Sequence, residues 1–247
     1  MPYSLSSRSR GRSGVIAHRG ASAVALENTV EAFRMAKELG ADWVELDVRW
    51  TADDCAVVHH DATISGRALA ELRHRDLPSH VVELDVALDA CAGMGVNVEV
   101  KNDPTEIGYR PAESFVESLG ELLAQRPFGQ AVLLSSFDLP TLHVLLSRLG
   151  LPTGWLIYAP LDPFAAVALA AAAGHVAINP HHRQVSEAVV EAAHERGLAV
   201  NVWTVDDPAR LALLWSWGVD GLITNKPDVA RAVVDRQGQG TTTRSDS

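Results

Sequence analysis

Three carboxylates and two histidines in this chain are spaced so that they could share one site. Glu45 and Asp47 stand two apart in Trp43-Val44-Glu45-Leu46-Asp47-Val48, and Glu99 follows in Asn97-Val98-Glu99-Val100-Lys101. On an extended strand, residues two apart point to the same face, so Glu45 and Asp47 present their acids together while Leu46 faces away. Three uncompensated carboxylates crowded together repel one another, and a cation among them resolves that. Oxygen-only donors favour one hard divalent cation, Mg²⁺ or Ca²⁺ with Mn²⁺ as a third choice, over zinc. Near the N-terminus His18-Arg19-Gly20 closes one apolar run, and His60-Asp61 closes another. Asp61 can orient His60, whereas His59 alternates to the opposite face. Two imidazoles on opposite sides of a phosphodiester could serve as base and acid. Arg19 can hold a phosphate through two parallel hydrogen bonds. Lys101 shares the face of Glu99 and can offset either that carboxylate or charge developing at phosphorus. The set points to metal-assisted phosphoester chemistry.

Short apolar runs alternating with amphipathic stretches must position these residues. The predicted strands are Gly14–His18, Trp43–Val48, Val96–Val100, Ala131–Ser135, Thr153–Tyr158, His175–Ile178, Leu198–Trp203 and Asp220–Thr224. Helical patterns lie between them, such as the stripe Val185, Ala188, Val189, Ala192 and Ala193. Gly40, Gly150, Gly174, Gly197 and Gly218 stand where helices should stop before a strand. Asn28, with Glu31 three residues on, reads as the start of a helix. Eight strand–helix units predict an α/β fold, a (β/α)₈ TIM barrel, with its site at the C-terminal strand ends. An open doubly wound sheet would gather its site at one switch point, whereas these acids and histidines end different strands. Residues 61–82 form a longer connection, a small insertion after strand 2 and a candidate lid. It is mixed, with several Arg and His and no run of aromatics or Leu, which favours small soluble diesters over lipids. The barrel is expected over residues 14–235, between a flexible tail at 1–13 and a disordered, Gly/Thr/Ser-rich tail at 236–247.

The 247 residues carry a net charge of −10, which argues against a nucleic-acid partner. The same charge gives no general attraction to an anionic membrane, so no stable membrane association is expected. With 47% hydrophobic but only 6% aromatic residues, Leu, Val and Ala must fill the core. Met1–Ser13 is polar and carries Arg8, Arg10 and Arg12, unlike a secretory leader. The Ala-rich segment Phe164–Ala173 is too short to span a membrane. Cys55 and Cys91 read as free thiols with no zinc spacing. A cytoplasmic monomer or homodimer is the expectation.

The motifs resemble those of the glycerophosphodiester phosphodiesterase family over residues 15–234. They are His18-Arg19-Gly20, Glu27-Asn28-Thr29 with Ala32-Phe33, Glu45-Leu46-Asp47-Val48 with Thr51 and Asp53, His60-Asp61, and Glu99-Val100-Lys101. Later matches are Ser136-Phe137-Asp138, Val202-Trp203-Thr204-Val205 and Asp220-Gly221-Leu222-Ile223-Thr224-Asn225. The resemblance implies a barrel with a divalent metal that cleaves a small-molecule glycerophosphodiester to glycerol 3-phosphate and an alcohol. It implies Glu45, Asp47 and Glu99 as metal ligands, His18 and His60 as the acid/base pair, and Arg19, Lys101 and Trp203 as substrate contacts. Leu26 stands where the family usually has proline, and Asp54 where it has a turn glycine. The insertion lacks the family's frequent Arg-Thr-Thr. A lysophospholipase D-like activity on lipids, and a barrel that only binds, are the rival readings. Intact His18, His60 and all three acids oppose the binding barrel.

Overall fold

The computed structural model of the chain describes residues 14–125 and 130–240. Both terminal tails expected at 1–13 and beyond 240 lie outside the described residues. The strands are β1 (Gly14–His18), β2 (Trp43–Trp50), β3 (Ala56–Val58), β4 (Thr63–Ile64), β5 (Arg67–Ala68), β6 (Gly95–Val100), β7 (Val132–Ser136), β8 (Thr153–Ile157), β9 (Ala177–Pro180), β10 (Ala199–Val202) and β11 (Gly221–Thr224). The helices are α1 (Val30–Glu38), α2 (Leu84–Ala90), α3 (Val116–Ala124), α4 (Leu139–Leu149), α5 (Pro163–Ala172), α6 (Glu187–Glu195), α7 (Pro208–Ser216) and α8 (Pro227–Gly240).

Eight parallel strands run in the order β1-β11-β10-β9-β8-β7-β6-β2, and β1 pairs with β2 to close the ring. This is the predicted TIM barrel, and each predicted barrel strand is present within two residues of its expected ends. Strand alternation sorts the two faces. On β2, Val44, Leu46 and Val48 are fully buried in the layer beneath the helices, with Phe33, Leu84 and Leu88 in the same core. Trp43, Glu45, Asp47 and Arg49 take the other face. Asp138, Asp162, Ser186 and Asp207 cap four helices by accepting backbone N–H bonds, and prolines follow three of them. Each of the five predicted helix-stop glycines has a left-handed φ. Asp54, at φ 59°, fills the left-handed turn position where the family carries glycine.

Three features depart from the sequence reading. Strand β2 runs on past Val48 to Trp50, because β3 returns antiparallel beside it, Val58 against Val48 and Ala56 against Trp50. The insertion that follows has a small core of its own, Val57, Leu69 and Val81 with Cys55, Ile64 and Leu77. Helix α8 continues to Gly240 through the residues expected to be disordered from 236; Gln237 Nε2 donates to Ala212 O on α7 at 2.9 Å, tying it down. Among the described residues no helix is long and apolar enough to cross a membrane.

Candidate active site

The parallel register sets the acids. Asp47 lies beside Glu99, and Glu45 beside Asn97, across the β2–β6 pair. One oxygen from each of Glu45, Asp47 and Glu99 lies within 4.8 Å of the others, and all three residues are buried. Burial raises the Glu45 carboxyl well above the usual range, and the Asp47 and Glu99 charges push the same way. Burial likewise raises Glu99 against the pull of Lys101. At Asp47 burial is outweighed by Lys101 and Arg19, which hold it below the ordinary value. Lys101 Nζ sits 2.8 Å from Glu99 Oε1 and 3.7 Å from Asp47 Oδ1. Two cations thus face three carboxylates.

Those cations leave donors over. Glu45 Oε1 and Asp47 Oδ1 are buried with no hydrogen-bond partner. A buried carboxylate oxygen without a donor is costly, so an all-oxygen cation site fits the residues present.

The acids are positioned from outside the strands. Asn28 does not cap α1, as its spacing suggested. Thr29 does, its Oγ1 accepting from Ala32 N at 3.3 Å. Asn28 adopts φ 58°, and its amide turns to Asp47, donating from Nδ2 to Oδ2 at 2.8 Å. Sequence spacing concealed this role, because Asn-x-x-Glu also spells a cap. Arg19, at φ 55°, donates its backbone N–H to Glu45 Oε2 at 3.0 Å. Its guanidinium lies 3.1 Å from Asp47 Oδ2 and bonds both oxygens of Glu27 at 2.9 and 3.0 Å.

The histidines approach from two sides. His18 ends β1, with its Nε2 3.9 Å from Glu45 Oε2. Its Nδ1 lies 2.7 Å from Asn225 Oδ1, and Asn225 Nδ2 donates to Asp206 Oδ2 at 2.7 Å. A carboxylate only accepts, so the Asn225 amide nitrogen faces Asp206 and its oxygen faces His18. His18 Nδ1 therefore carries the hydrogen, and Nε2 presents a lone pair to the site. Burial, then Arg19, lowers the His18 pKa and keeps the ring neutral. His60 Nδ1 lies 2.7 Å from Asp61 Oδ1, which fixes the orientation of the ring. Arg49 Nε donates to His60 O at 2.7 Å while its Nη2 bonds Glu106 Oε2, bracing this corner. The chain order gave no hint of Asn225, Asp206 or Arg49 in these roles.

His18, Arg19, Glu45, His60, Glu99, Lys101 and Trp203 line one cavity of about 170 Å³, together with Asn97, Phe137 and Leu156. Asp47, fully buried, is not part of this lining and meets it through Glu99 and Lys101. His59 is outside this lining; it and His60 follow the end of β3 at Val58, so the strand alternation expected from sequence does not extend to them. Trp203 donates Nε1–H to Asn179 O at 2.7 Å and meets Phe137 edge-on at 5.4 Å. Asn97, with both amide atoms unpartnered, shares the face of Glu99 two residues on and was legible from that spacing. Beyond Phe137 and Leu156 opens an apolar groove of about 560 Å³ with Trp155, Tyr158, Pro160 and Leu161 in its wall.

The chain was compared with known proteins. The model of the glycerophosphoryl diester phosphodiesterase family matches residues 18–229. YhdW of Bacillus subtilis (strain 168) is 30% identical over 238 residues, covering 87% of this chain and 95% of that protein. The glycerophosphodiester phosphodiesterase of Caldanaerobacter subterraneus subsp. tengcongensis is 28% identical, covering 91% and 98%. Among solved structures, a phosphodiesterase of Oleispira antarctica in complex with the product sn-glycerol-3-phosphate superposes with a TM-score of 0.83. It is 23% identical and covers 91% of this chain and 97% of that one.

Proposed function

The chain belongs to the glycerophosphoryl diester phosphodiesterase family and is a glycerophosphodiester phosphodiesterase, and from that premise we propose a metal-dependent, two-histidine mechanism for it. Glu45, Asp47 and Glu99 hold one divalent cation, Mg²⁺, Ca²⁺ or Mn²⁺, which when bound polarises the phosphate and lowers the pKa of an attacking oxygen. The observation that carries this reading is the pair of buried oxygens without a hydrogen-bond partner, Glu45 Oε1 and Asp47 Oδ1, the first of them on a residue that lines the same cavity as both histidines.

His18, neutral and hydrogen-bonded through Nδ1, takes the proton of the attacking oxygen at Nε2. His60, oriented through Nδ1 by Asp61, serves as the acid whose Nε2 proton goes to the departing alkoxide. Lys101 and Arg19 offset anionic charge on the phosphate; Arg19 does so while remaining paired with Glu27. Trp203 and Phe137 wall the cavity and exclude water from the reacting group. Release of glycerol 3-phosphate is in keeping with the product held by the Oleispira antarctica protein.

The test is coupled release of glycerol 3-phosphate from glycerophosphocholine, before and after EDTA, with each cation added back. Loss on chelation and recovery on one or more of the three cations is expected. Full turnover after exhaustive chelation overturns the metal assignment.

Hydrolysis of lysophospholipids is a second reading, and the apolar groove beside Phe137 is the observation that favours it. The polar insertion favours small diesters. A higher kcat/KM for glycerophosphocholine than for the matching lysophospholipid, without detergent, decides for the first; the reverse order decides for the second.

A further inference from the structure

The hairpin of β2 and β3 carries the chain past the barrel mouth and back. At its tip three donors of different chemistry meet, far in sequence from any short metal motif. Cys55 stands before β3, His74 lies in a 3₁₀ turn of the insertion, and Glu83 immediately precedes α2, its side chain not engaged in capping. One ligand atom from each lies within 4.8 Å of the others, and all three residues are half-buried.

The surroundings hold the trio in place. Cys55 N donates to Thr51 Oγ1 at 3.0 Å, and His74 N donates to Asp53 Oδ1 at 3.0 Å. Val57 bridges Glu83 in antiparallel fashion. His74 Nδ1 lies 3.1 Å from Glu83 Oε1. The local charge is negative: burial first, then Glu83, Asp53 and Asp85, push the Cys55 thiol up to about 11. Arg73 contributes a positive charge that acts on Asp53. A dication bound here offsets this excess of negative charge.

We propose that Cys55, His74 and Glu83 form a second metal site, selective for a borderline cation of the zinc class. Thiolate, imidazole and carboxylate are the mixed donor set such a cation takes, whereas Mg²⁺ and Ca²⁺ reject sulfur. Tetrahedral zinc holds sulfur at about 2.3 Å and nitrogen or oxygen at about 2.0–2.2 Å. Its ligand atoms then sit roughly 3.3–3.7 Å apart, so side-chain rotation of about an ångström closes the trio, and water takes the fourth position. On binding, the Cys55 S–H bond breaks, its proton leaves to solvent and a sulfur–metal bond forms, with no change of oxidation state. The site joins the hairpin that carries His60 to the insertion and to the start of α2. It is separate from the all-oxygen site at Glu45, Asp47 and Glu99.

Cobalt(II) is the probe, because a thiolate ligand gives it a charge-transfer band in the near ultraviolet and oxygen ligands do not. The full chain titrated with Co²⁺ should develop that band, and Zn²⁺ should abolish it. Cys55→Ser should remove the band, Cys91→Ser should keep it, and His74→Ala and Glu83→Gln should each weaken cobalt binding at least tenfold. Melting curves without metal confirm that each variant is folded. Absence of the band, its survival in Cys55→Ser, or its indifference to both His74→Ala and Glu83→Gln overturns the site; the last means an exposed thiol binding cobalt alone.

Discussion

Glu45→Gln should make the metal-free protein more stable while removing most of its response to a divalent cation. The substitution keeps the shape of the side chain and an oxygen for the Arg19 N–H, and deletes one charge. At the 4.8 Å limit on the Glu45, Asp47 and Glu99 oxygens, each like-charge pair repels by about 3.5 kcal/mol at an effective dielectric near 20. Glu45 meets two such charges, partly offset by Arg19. The carboxyl escapes by taking a proton, which bounds the penalty. Holding a proton at pH 7 on a group whose ordinary pKa is 4.5 costs about 2.5 × 1.36, or roughly 3.4 kcal/mol. The variant should therefore gain about 1–3 kcal/mol at pH 7 without metal, and for a chain of this size each kcal/mol moves Tm by roughly 2–4 °C.

The pH dependence has a definite sign. A carboxyl whose folded pKa is raised destabilises increasingly as pH rises above its unfolded value. The advantage of Gln should thus be full at pH 7 and vanish below about 4.5, where the wild-type carboxyl is protonated in both states. A cation at a hundred times its Kd should add about 2.7 kcal/mol to the wild type and much less to the variant. The assay is thermal unfolding of both proteins, with EDTA and with saturating Mg²⁺, at pH 7 and at pH 4.5. A variant less stable than wild type in EDTA at pH 7, or one stabilised equally by Mg²⁺, refutes the reasoning.

His18→Ala and His60→Ala should each lower kcat by roughly 10²–10⁴ with Tm little changed, while His59→Ala should do far less; steady-state kinetics on all three checks that His59 stands outside the site. Asn28→Gly keeps the left-handed backbone but strips Asp47 of its 2.8 Å bond, so it should cost about 1–3 kcal/mol and weaken cation binding, as denaturant melts and a Mg²⁺ titration will report. His175 is pushed down to about 4 by burial and then by His143, so the folded state stays neutral where the unfolded chain takes up a proton. Stability should fall as pH drops from about 6.5 towards 4, by up to about 3 kcal/mol from this ring, and His175→Gln should flatten that slope in melts across the range.

The periodicity of the chain determined most of the frame. Strand alternation is strictly local, so Glu45 and Asp47 had to share a face and Leu46 had to leave it. Eight apolar runs alternating with helical stretches, five of them preceded by a helix-stop glycine, fixed the barrel and hence the end where the site would lie. What the tertiary structure alone decided is who partners whom. Asn28 reads as a helix cap on spacing and becomes the partner of Asp47 because Thr29 takes the cap. His18 owes its tautomer to Asn225, 207 residues away, which only closure of β1 against β11 brings near. Arg19 reads as a free phosphate clamp, yet its guanidinium already bonds Glu27 and Asp47. Residues 236–240 read as part of a disordered, Gly/Thr/Ser-rich tail, but the bond from Gln237 to α7 goes with a helix that continues to Gly240. Cys55, His74 and Glu83 carry no motif at all, since a hairpin, a turn and a helix start must fold together before their donors meet. Local pattern sets which way each side chain points; long-range packing sets what stands in front of it.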